Sequence, residues 1–260
     1  MNGLASKVTT AACLLACCLA SARTSWSKPQ TAAEEHVQRG QELQKAGDLR
    51  GAAEEYRAAI RMDPRDVPAH TRLGLVLEIA GRLNEARAEC ERAVELQPKS
   101  ADGHTCLGIA LRESGKLAGA ISQFRRVVEL NPGAASAHED LGAALELEGK
   151  FAEAIAELRK ALAIAPDRAS AWNAVGWLYA TASDEKFRDG KKALECAQRA
   201  VELSGGQAAY ILDTLAEAYF ANGDVDRAIE TEERAIALDP NDPAYAIQKE
   251  KFKAAKNRRG

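Results

Sequence analysis

The feature that most constrains the fold of this 260-residue chain is a period of 34 residues. Four prolines recur at that spacing, each directly after a stretch of helix-forming residues, and Pro240 closes a fifth stretch of the same kind. Periods of this length are typical of arrays in which each unit stacks on its neighbours to bury its apolar face. The period therefore predicts one continuous repeat array. The four regularly spaced prolines are Pro64, Pro98, Pro132 and Pro166.

Two series of glycines follow the same period. The first series lies inside helix-like stretches, where glycine costs about 1 kcal/mol relative to alanine, so we expect a neighbouring helix to approach too closely for a side chain. Its sixth member is replaced by Ala216. The second series is expected in the turns between paired helices. The first series is Gly40, Gly74, Gly108, Gly142 and Gly176, and the second is Gly47, Gly81, Gly115, Gly149 and Gly223.

The composition agrees with a helical array. The chain is 46% hydrophobic but only 5% aromatic. Alanine is abundant from end to end, which suits close-packed helices better than strands. The formal net charge is −3, and no predicted folded segment carries the basic surplus that a nucleic-acid backbone requires. The sequence therefore predicts an all-α protein whose main partner is not a nucleic acid.

Two units together carry the consensus of a known repeat. The fifth unit contains Trp172, Val175, Gly176 and Tyr179, and the third contains Ala120, Phe124 and Pro132. These residues resemble the W-x2-L-G-x2-Y, A-x3-F and P pattern of the tetratricopeptide repeat. The resemblance implies an all-α, right-handed solenoid of about six helix-turn-helix repeats plus a C-terminal capping helix. It places the units at 33–66, 67–100, 101–134, 135–168, 169–208 and 209–242, and the capping helix with a basic tail at 243–260.

The segment 1–22 has the layout of a bacterial secretory signal. An apolar run, 8–20, is too short for an ordinary transmembrane helix, and a small-x-small site ends at Ala22. Alternatively, residues 14–17 form a lipobox, so that the signal ends before Cys17 and Cys17 is lipidated. Either interpretation predicts an exported protein, periplasmic or anchored in the envelope, with 23–32 as a linker.

Three of the six cysteines lie in this leader. Only Cys90, Cys106 and Cys196 remain in the predicted folded part, which is too few for a disulfide framework. We expect them to be small buried helix residues. A bridge between Cys90 and Cys106 stays open, because an oxidising compartment permits it but sequence spacing alone does not establish it.

The four histidines recur with the same period, at the place of the consensus tryptophan. A metal-binding row is one interpretation, but contacting helices lie about 8–10 Å apart, so imidazoles in successive units cannot converge on one ion. We expect the rings to pack between helices. The chain has no recognisable catalytic motif, so the sequence predicts a non-enzyme with no catalytic residue, cofactor or metal. The histidines are His36, His70, His104 and His138.

The resemblance also implies a binding surface. In tetratricopeptide proteins the first helix of each unit lines a groove that holds an extended peptide or a partner's helix, and we use "groove" for that surface here. Large apolar residues are concentrated in its C-terminal half and acids border them, so we expect a partner with apolar and basic side chains. The predicted groove residues are Leu75, Ile109, Arg112, Glu139, Glu146, Asn173, Trp177, Tyr210, Asp213, Glu217 and Phe220.

These features favour a non-enzymatic scaffold or adaptor of the bacterial cell envelope that docks a peptide or protein segment in the groove. Two alternatives stay open. One is a self-associating structural module whose groove is filled by a second copy. The other is a cytosolic co-chaperone-like adaptor, which requires that the leader does not function.

Overall fold

The structure is a computed structural model that describes residues 31–258, and in this range the chain forms thirteen α-helices and one short 3₁₀ turn, with no strand. The predicted all-α repeat fold is confirmed. The signal segment 1–22, the lipidation candidate Cys17 and most of the linker 23–32 lie outside the described residues. The helices are α1 (Ala32–Lys45), α2 (Leu49–Met62), α3 (Val67–Ile79), α4 (Leu83–Leu96), α5 (Ala101–Glu113), α6 (Leu117–Leu130), α7 (Ala135–Leu147), α8 (Phe151–Ile164), α9 (Ala169–Thr181), α10 (Gly190–Ser204), α11 (Ala209–Ala221), α12 (Val225–Leu238) and α13 (Pro243–Asn257).

The chain divides into two compact units, 1–64 and 65–260. In the first unit, α1 and α2 form a helical hairpin. Thr31 and Glu34 begin α1 with reciprocal hydrogen bonds, the side chain of each accepting from the backbone N–H of the other. Gly47 turns the chain between the helices with a φ of 82°. The second glycine series thus lies in the hairpin turns as predicted, because a positive φ favours glycine.

In the second unit, five hairpins follow one another and α13 packs on the last of them. The second helix of each hairpin also packs against the first helix of the next, as α4 does against α5 and α10 against α11. First helices lie side by side in the pairs α3 and α5, and α9 and α11. Each hairpin therefore buries its apolar face mainly against its sequence neighbours, as expected for a repeat array.

The first glycine series lies where paired helices are closest. A Cβ atom on Gly108 would lie 2.6 Å from Cε1 of Phe124, whose side chain is fully buried. A Cβ atom on Gly142 would lie 2.8 Å from Cγ of Leu158. Phe124 and Leu158 hold the same place on the second helix of their units, so the two helices of a unit meet at equivalent points. This confirms the prediction of a close helix approach.

The fifth unit, 169–208, has six more residues than the others, and most of this insertion, 181–190, lies between its two helices and is anchored to the array. Its 3₁₀ turn spans Glu185–Phe187. The ring of Phe187 lies against Phe151 of α8, with 5.6 Å between ring centroids. Arg188 donates a 2.6 Å hydrogen bond from Nε to the carbonyl of Ala182. The insertion therefore closes over α8 and the end of α9.

The open question about the cysteines is answered by a disulfide. Cys90 of α4 and Cys106 of α5 are bonded, with 5.5 Å between their Cα atoms. The sulfurs fill the space in front of Gly74, where a Cβ atom would lie 2.6 Å from one and 2.7 Å from the other. Cys196 is free and buried as expected, and burial raises the pKa of its thiol to about 11. The disulfide therefore joins two successive units covalently.

The buried histidines connect the two helices of a unit, as expected for rings that pack between helices. Nδ1 of His138 lies 2.7 Å from a carboxylate oxygen of Glu157, and Nε2 lies 3.2 Å from the carbonyl of Pro132. In the fifth unit Trp172 occupies the same place and donates from Nε1 to the carbonyl of Pro166 at 2.9 Å. Histidine thus substitutes for the consensus tryptophan by supplying the same kind of ring N–H group.

Candidate functional site

The middle of the groove is apolar and half-exposed. Leu75 of α3, Ile109 of α5 and Trp177 of α9 are each partly accessible to solvent. Ile109 also packs against the hydrophobic core, so part of its side chain stabilises the array. Tyr210, at the start of α11, is 50% exposed. These four side chains leave apolar area that a partner can cover.

Carboxylates lie among these apolar residues. Burial alone raises the pKa of Glu146 on α7 to about 7. Burial is also the main cause that raises the pKa of Asp140 on α7 and of Glu78 on α3, and the charge of Arg112 partly opposes both shifts. The ionised forms of these groups are therefore poorly compensated within the chain.

Two of the predicted charged groove residues have partners inside the chain. Arg112 donates a 2.9 Å hydrogen bond from Nε to its neighbour Glu113. Glu139 accepts a hydrogen bond from Nε of Arg168. Both ion pairs retain partial exposure, and exposed ion pairs contribute little stability. A partner's charged group can therefore compete for them at small cost.

Two buried polar atoms in the groove have no hydrogen-bond partner among residues 31–258. They are the hydroxyl oxygen Oγ1 of Thr71 and the amide oxygen Oδ1 of Asn173. Both residues occupy the fifth place of their unit, on α3 and α9. Neither atom is accessible to solvent, so each leaves the folded chain with a desolvation cost of about 1–3 kcal/mol.

A cavity of about 370 Å³ lies near the N-terminal end of the compact unit 65–260, between α3 and α5. It contains Thr71, with its unpaired hydroxyl, and the predicted groove residue Leu75. The sequence concentrated the site in the C-terminal half of the groove, where large apolar residues are most numerous, and it missed this cavity. The lining residues are Val67, Pro68, Thr71, Arg72, Leu75, Gln97, Ser100, Asp102 and Thr105.

At the C-terminal end, two predicted groove residues are covered by α13. Glu217 is only 4% exposed and accepts hydrogen bonds from Gln248 and Lys251 of α13. The ring of Phe220 lies on Phe252, with 4.9 Å between centroids. The prediction that Glu217 borders an open groove is therefore wrong, because helix packing buries it. Its place in the unit gave no sign of this contact, which depends on a helix outside the repeats.

A second cavity, of about 460 Å³, remains beside this contact. Ala180 of α9 and Phe220 of α11 line it, together with Arg188 of the insertion and Lys251 of α13. The groove of the compact unit 65–260 therefore has a cavity near each of its ends. Asp213, the remaining predicted acid at this end, lies beside the buried Glu232, and burial raises its pKa to about 6.

Two kinds of feature are absent from the described residues, a cluster of metal ligands and a membrane-spanning helix. In the range 31–258, no group of three or more His, Cys, Asp or Glu side chains is arranged to hold a metal ion. None of the helices in that range is both long and apolar enough to cross a membrane. The chemistry that the groove does offer is hydrogen bonding, apolar contact and attraction of positive charge.

Comparisons with known proteins agree with this architecture. The tetratricopeptide repeat family matches residues 37–101, 107–169 and 183–243. No curated protein sequence matches the chain. Among solved structures, MamA is 26% identical, with 65% of this chain and 95% of that chain covered and a TM-score of 0.54.

Two further solved structures share the fold over more of the chain. PilW, described as a widely conserved type IV pilus biogenesis factor, is 18% identical over 84% of this chain and 98% of its own, with a TM-score of 0.71. PilF of Pseudomonas aeruginosa is 22% identical over 86% and 97%, with a TM-score of 0.67. Because the family matches extend over most of the helical hairpins described above, this chain belongs to the tetratricopeptide repeat family.

Proposed function

We propose that this protein is a non-enzymatic interaction scaffold of the bacterial cell envelope that holds an extended segment of another protein in its groove. The observation that carries the proposal is the partly exposed apolar area on the first helices, supplied by Leu75, Ile109 and Trp177. An extended peptide presents backbone N–H and C=O groups along its length. Side chains of such a segment can pack on the apolar area, and its backbone groups can bond to exposed polar side chains beside that area.

The partner is a segment with apolar and basic side chains. Leu75, Ile109 and Trp177 supply partly exposed apolar area. Aromatic residues such as Trp177 dominate the binding energy of many interfaces. Glu146 and Asp140 are carboxylates whose pKa is raised by burial. A lysine or arginine of the partner would compensate their negative charge. We expect this attraction to favour basic partners and to weaken as the salt concentration rises.

Export to the envelope is supported by two independent features. Residues 1–22 have the layout of a secretory signal, with lipidation of Cys17 as the alternative. The Cys90–Cys106 disulfide joins two units of the array, and structural disulfides persist mainly in oxidising compartments.

Groove docking is tested by site-specific photo-crosslinking in the full-length protein. A photoreactive residue at Trp177 lies in the groove, whereas one at Ile164 lies at the end of α8, where the side chain is 42% exposed but belongs to a second helix. We expect a defined protein adduct from position 177 and none from position 164. Equal adducts from both positions would contradict groove docking.

The same adduct separates docking from self-association. A crosslink to a second copy of the chain, together with a stable oligomer by light scattering, would support the self-associating module instead. A substitution tests docking independently of the crosslink. If Trp177 contacts a docked partner, Trp177→Ala should lose the partner while keeping the wild-type melting temperature. A lowered melting temperature would place Trp177 in the core.

Export is tested by fractionating cells that express the full chain or a chain lacking residues 1–22. We expect the truncated protein to remain in the cytoplasm, and its normal export would refute the assignment. Mass spectrometry of the mature N-terminus separates cleavage after Ala22 from lipidation of Cys17.

A further inference from the structure

The C-terminal helix covers part of the groove in addition to ending the array. Gln248 and Lys251 of α13 donate hydrogen bonds to Glu217 of α11. Phe252 of α13 is fully buried, and its ring lies on Phe220 of α11. Helix α13 therefore occupies the α11 end of the groove through both polar and aromatic contacts.

Near this contact, the carboxylic acid Glu232 occupies a position at which other repeats have an apolar core residue. Glu232 of α12 has the same position relative to Ala216 that Phe124 has relative to Gly108 and Leu158 relative to Gly142. Glu232 is 0% exposed, and its carboxyl group lies within hydrogen-bonding distance of the carboxyl group of Asp213 on α11, a pair that can bond only when one of the two groups carries a proton. Because a buried charge beside a second carboxylate is very costly, Glu232 carries the shared proton while α13 is docked.

The charged groups around Glu232 come from the two helices that pack on α12. Asp213 and Glu217 face it from α11, and Lys251 faces it from α13. Burial, then the charge of Asp213 and its hydrogen bond with Glu232, and then the charge of Glu217 raise the pKa of Glu232 to about 8, and the charge of Lys251 opposes the shift. On α13, Tyr245 also lies near this group, and its own pKa is raised by burial and by surrounding carboxylates.

The wider surroundings are also acidic. Asp242, the N-cap residue of α13, adds to the negative charge that acts on Asp213. The other α13 lysines pair outside the buried cluster, as Lys249 does with Glu233 and Lys256 with Asp226. Ionisation of Glu232 would therefore place a third carboxylate beside Asp213 and Glu217, with Lys251 as the cation that directly opposes them.

We propose that α13 is a proton-dependent latch, which stays docked on α11 while Glu232 is neutral and detaches when Glu232 ionises, so that Glu217 and Phe220 become available in the groove. When α13 detaches from the array, water reaches Glu232 on α12, and its pKa falls toward the ordinary value of 4.5. The docked state then binds the proton more tightly than the detached state. Docking is therefore strongest below about pH 4.5, weakens as the pH rises toward about 8, and changes little above that value.

Hydrogen exchange of the α13 amides in the full-length protein tests the latch without any groove ligand. Protection is compared at about pH 6 and about pH 8.5, on either side of the pKa of about 8, after correction for the intrinsic exchange rate. We expect protection of residues 243–257 to fall at least tenfold in the wild type. Glu232→Gln, which cannot ionise, should change less than twofold over the same interval.

The matched control is Glu233→Gln, an exposed neighbour on α12, which should behave like the wild type. If Glu232→Gln does not fold by circular dichroism, Glu232→Leu replaces it, since leucine occupies the equivalent place in the fourth unit. Equal pH dependence in the wild type and the Glu232 variant would overturn the proposal. Constant protection of wild-type α13 across this interval would overturn it as well.

Discussion

Replacement of Gly108 by alanine measures how closely α5 and α6 approach. The new Cβ atom would lie 2.6 Å from Cε1 of Phe124 and 2.9 Å from both Cδ1 and Cζ. The Phe124 ring is 0% exposed, so it cannot move away without displacing other core residues. Overpacking of this kind costs about 1–3 kcal/mol, and the better helix propensity of alanine returns up to about 1 kcal/mol. We therefore expect a net loss of up to about 3 kcal/mol, and a larger loss for Gly108→Leu.

The matched control is Gly119→Ala on α6 of the same unit. Its Cβ atom would lie 3.3 Å from Cδ1 of Leu111, the end of a flexible side chain. Here the gain in helix propensity should dominate, so stability should stay the same or rise by up to about 1 kcal/mol. Urea unfolding followed by far-ultraviolet circular dichroism measures both variants against the wild type.

The geometric cause is checked by combining Gly108→Ala with Phe124→Leu. The smaller side chain should relieve the overlap, so the double variant should lose less stability than the sum of the two single variants. A Gly108→Ala protein as stable as the wild type would refute the close approach of these helices.

Three other predictions concern the array and its charges. The Cys90–Cys106 disulfide closes a loop with a sequence separation of 16, so its reduction should lower the free energy of unfolding by about 3 kcal/mol. Urea unfolding with and without reductant measures this loss. The control is the Cys90→Ser, Cys106→Ser double variant, whose unfolding should not respond to reductant. Deletion of the whole unit 135–168 should preserve helical circular dichroism with reduced stability, and loss of all helix would count against a modular array. Because burial raises the pKa of Glu146 from 4.5 to about 7, stability should decline between those pH values by at most about 3 kcal/mol, and Glu146→Gln should remove that slope; an unchanged slope would show that other groups cause it.

Local physics explains why the helices could be predicted from the sequence. Proline cannot continue a helix, and glycine accepts the positive φ of a tight turn, so their recurrence marked where hairpins end and turn. Gly47 and Gly81 lie in the turns with φ values of 82° and 73°. The capping helix expected within 243–260 is present as α13, which spans Pro243–Asn257. Turns and helix ends depend on residues that are close together in the chain. In a repeating sequence the same local pattern recurs in each unit, which makes it easy to recognise.

The glycines inside helices also carried information about tertiary packing. Gly108 is unfavourable for an isolated helix, so its recurrence pointed to a neighbour at short range, and Phe124 is that neighbour. The sequence could not establish that Cys90 and Cys106 pair, because disulfide formation depends on the distance between α4 and α5. That distance results from the stacking of whole units.

The properties of the groove depended most on the tertiary structure. Glu217 and Glu146 are both acids at groove-facing places, yet α13 buries Glu217 and supplies Gln248 and Lys251 to it. Glu146 keeps partial exposure and has no such partner from α13, and burial alone raises its pKa to about 7. Repeat periodicity assigns a residue to a face of its helix and therefore determined the hairpins and the candidate surface. Solvation, pairing and cavity shape depend on which other helices approach that face, and only the folded chain decides this.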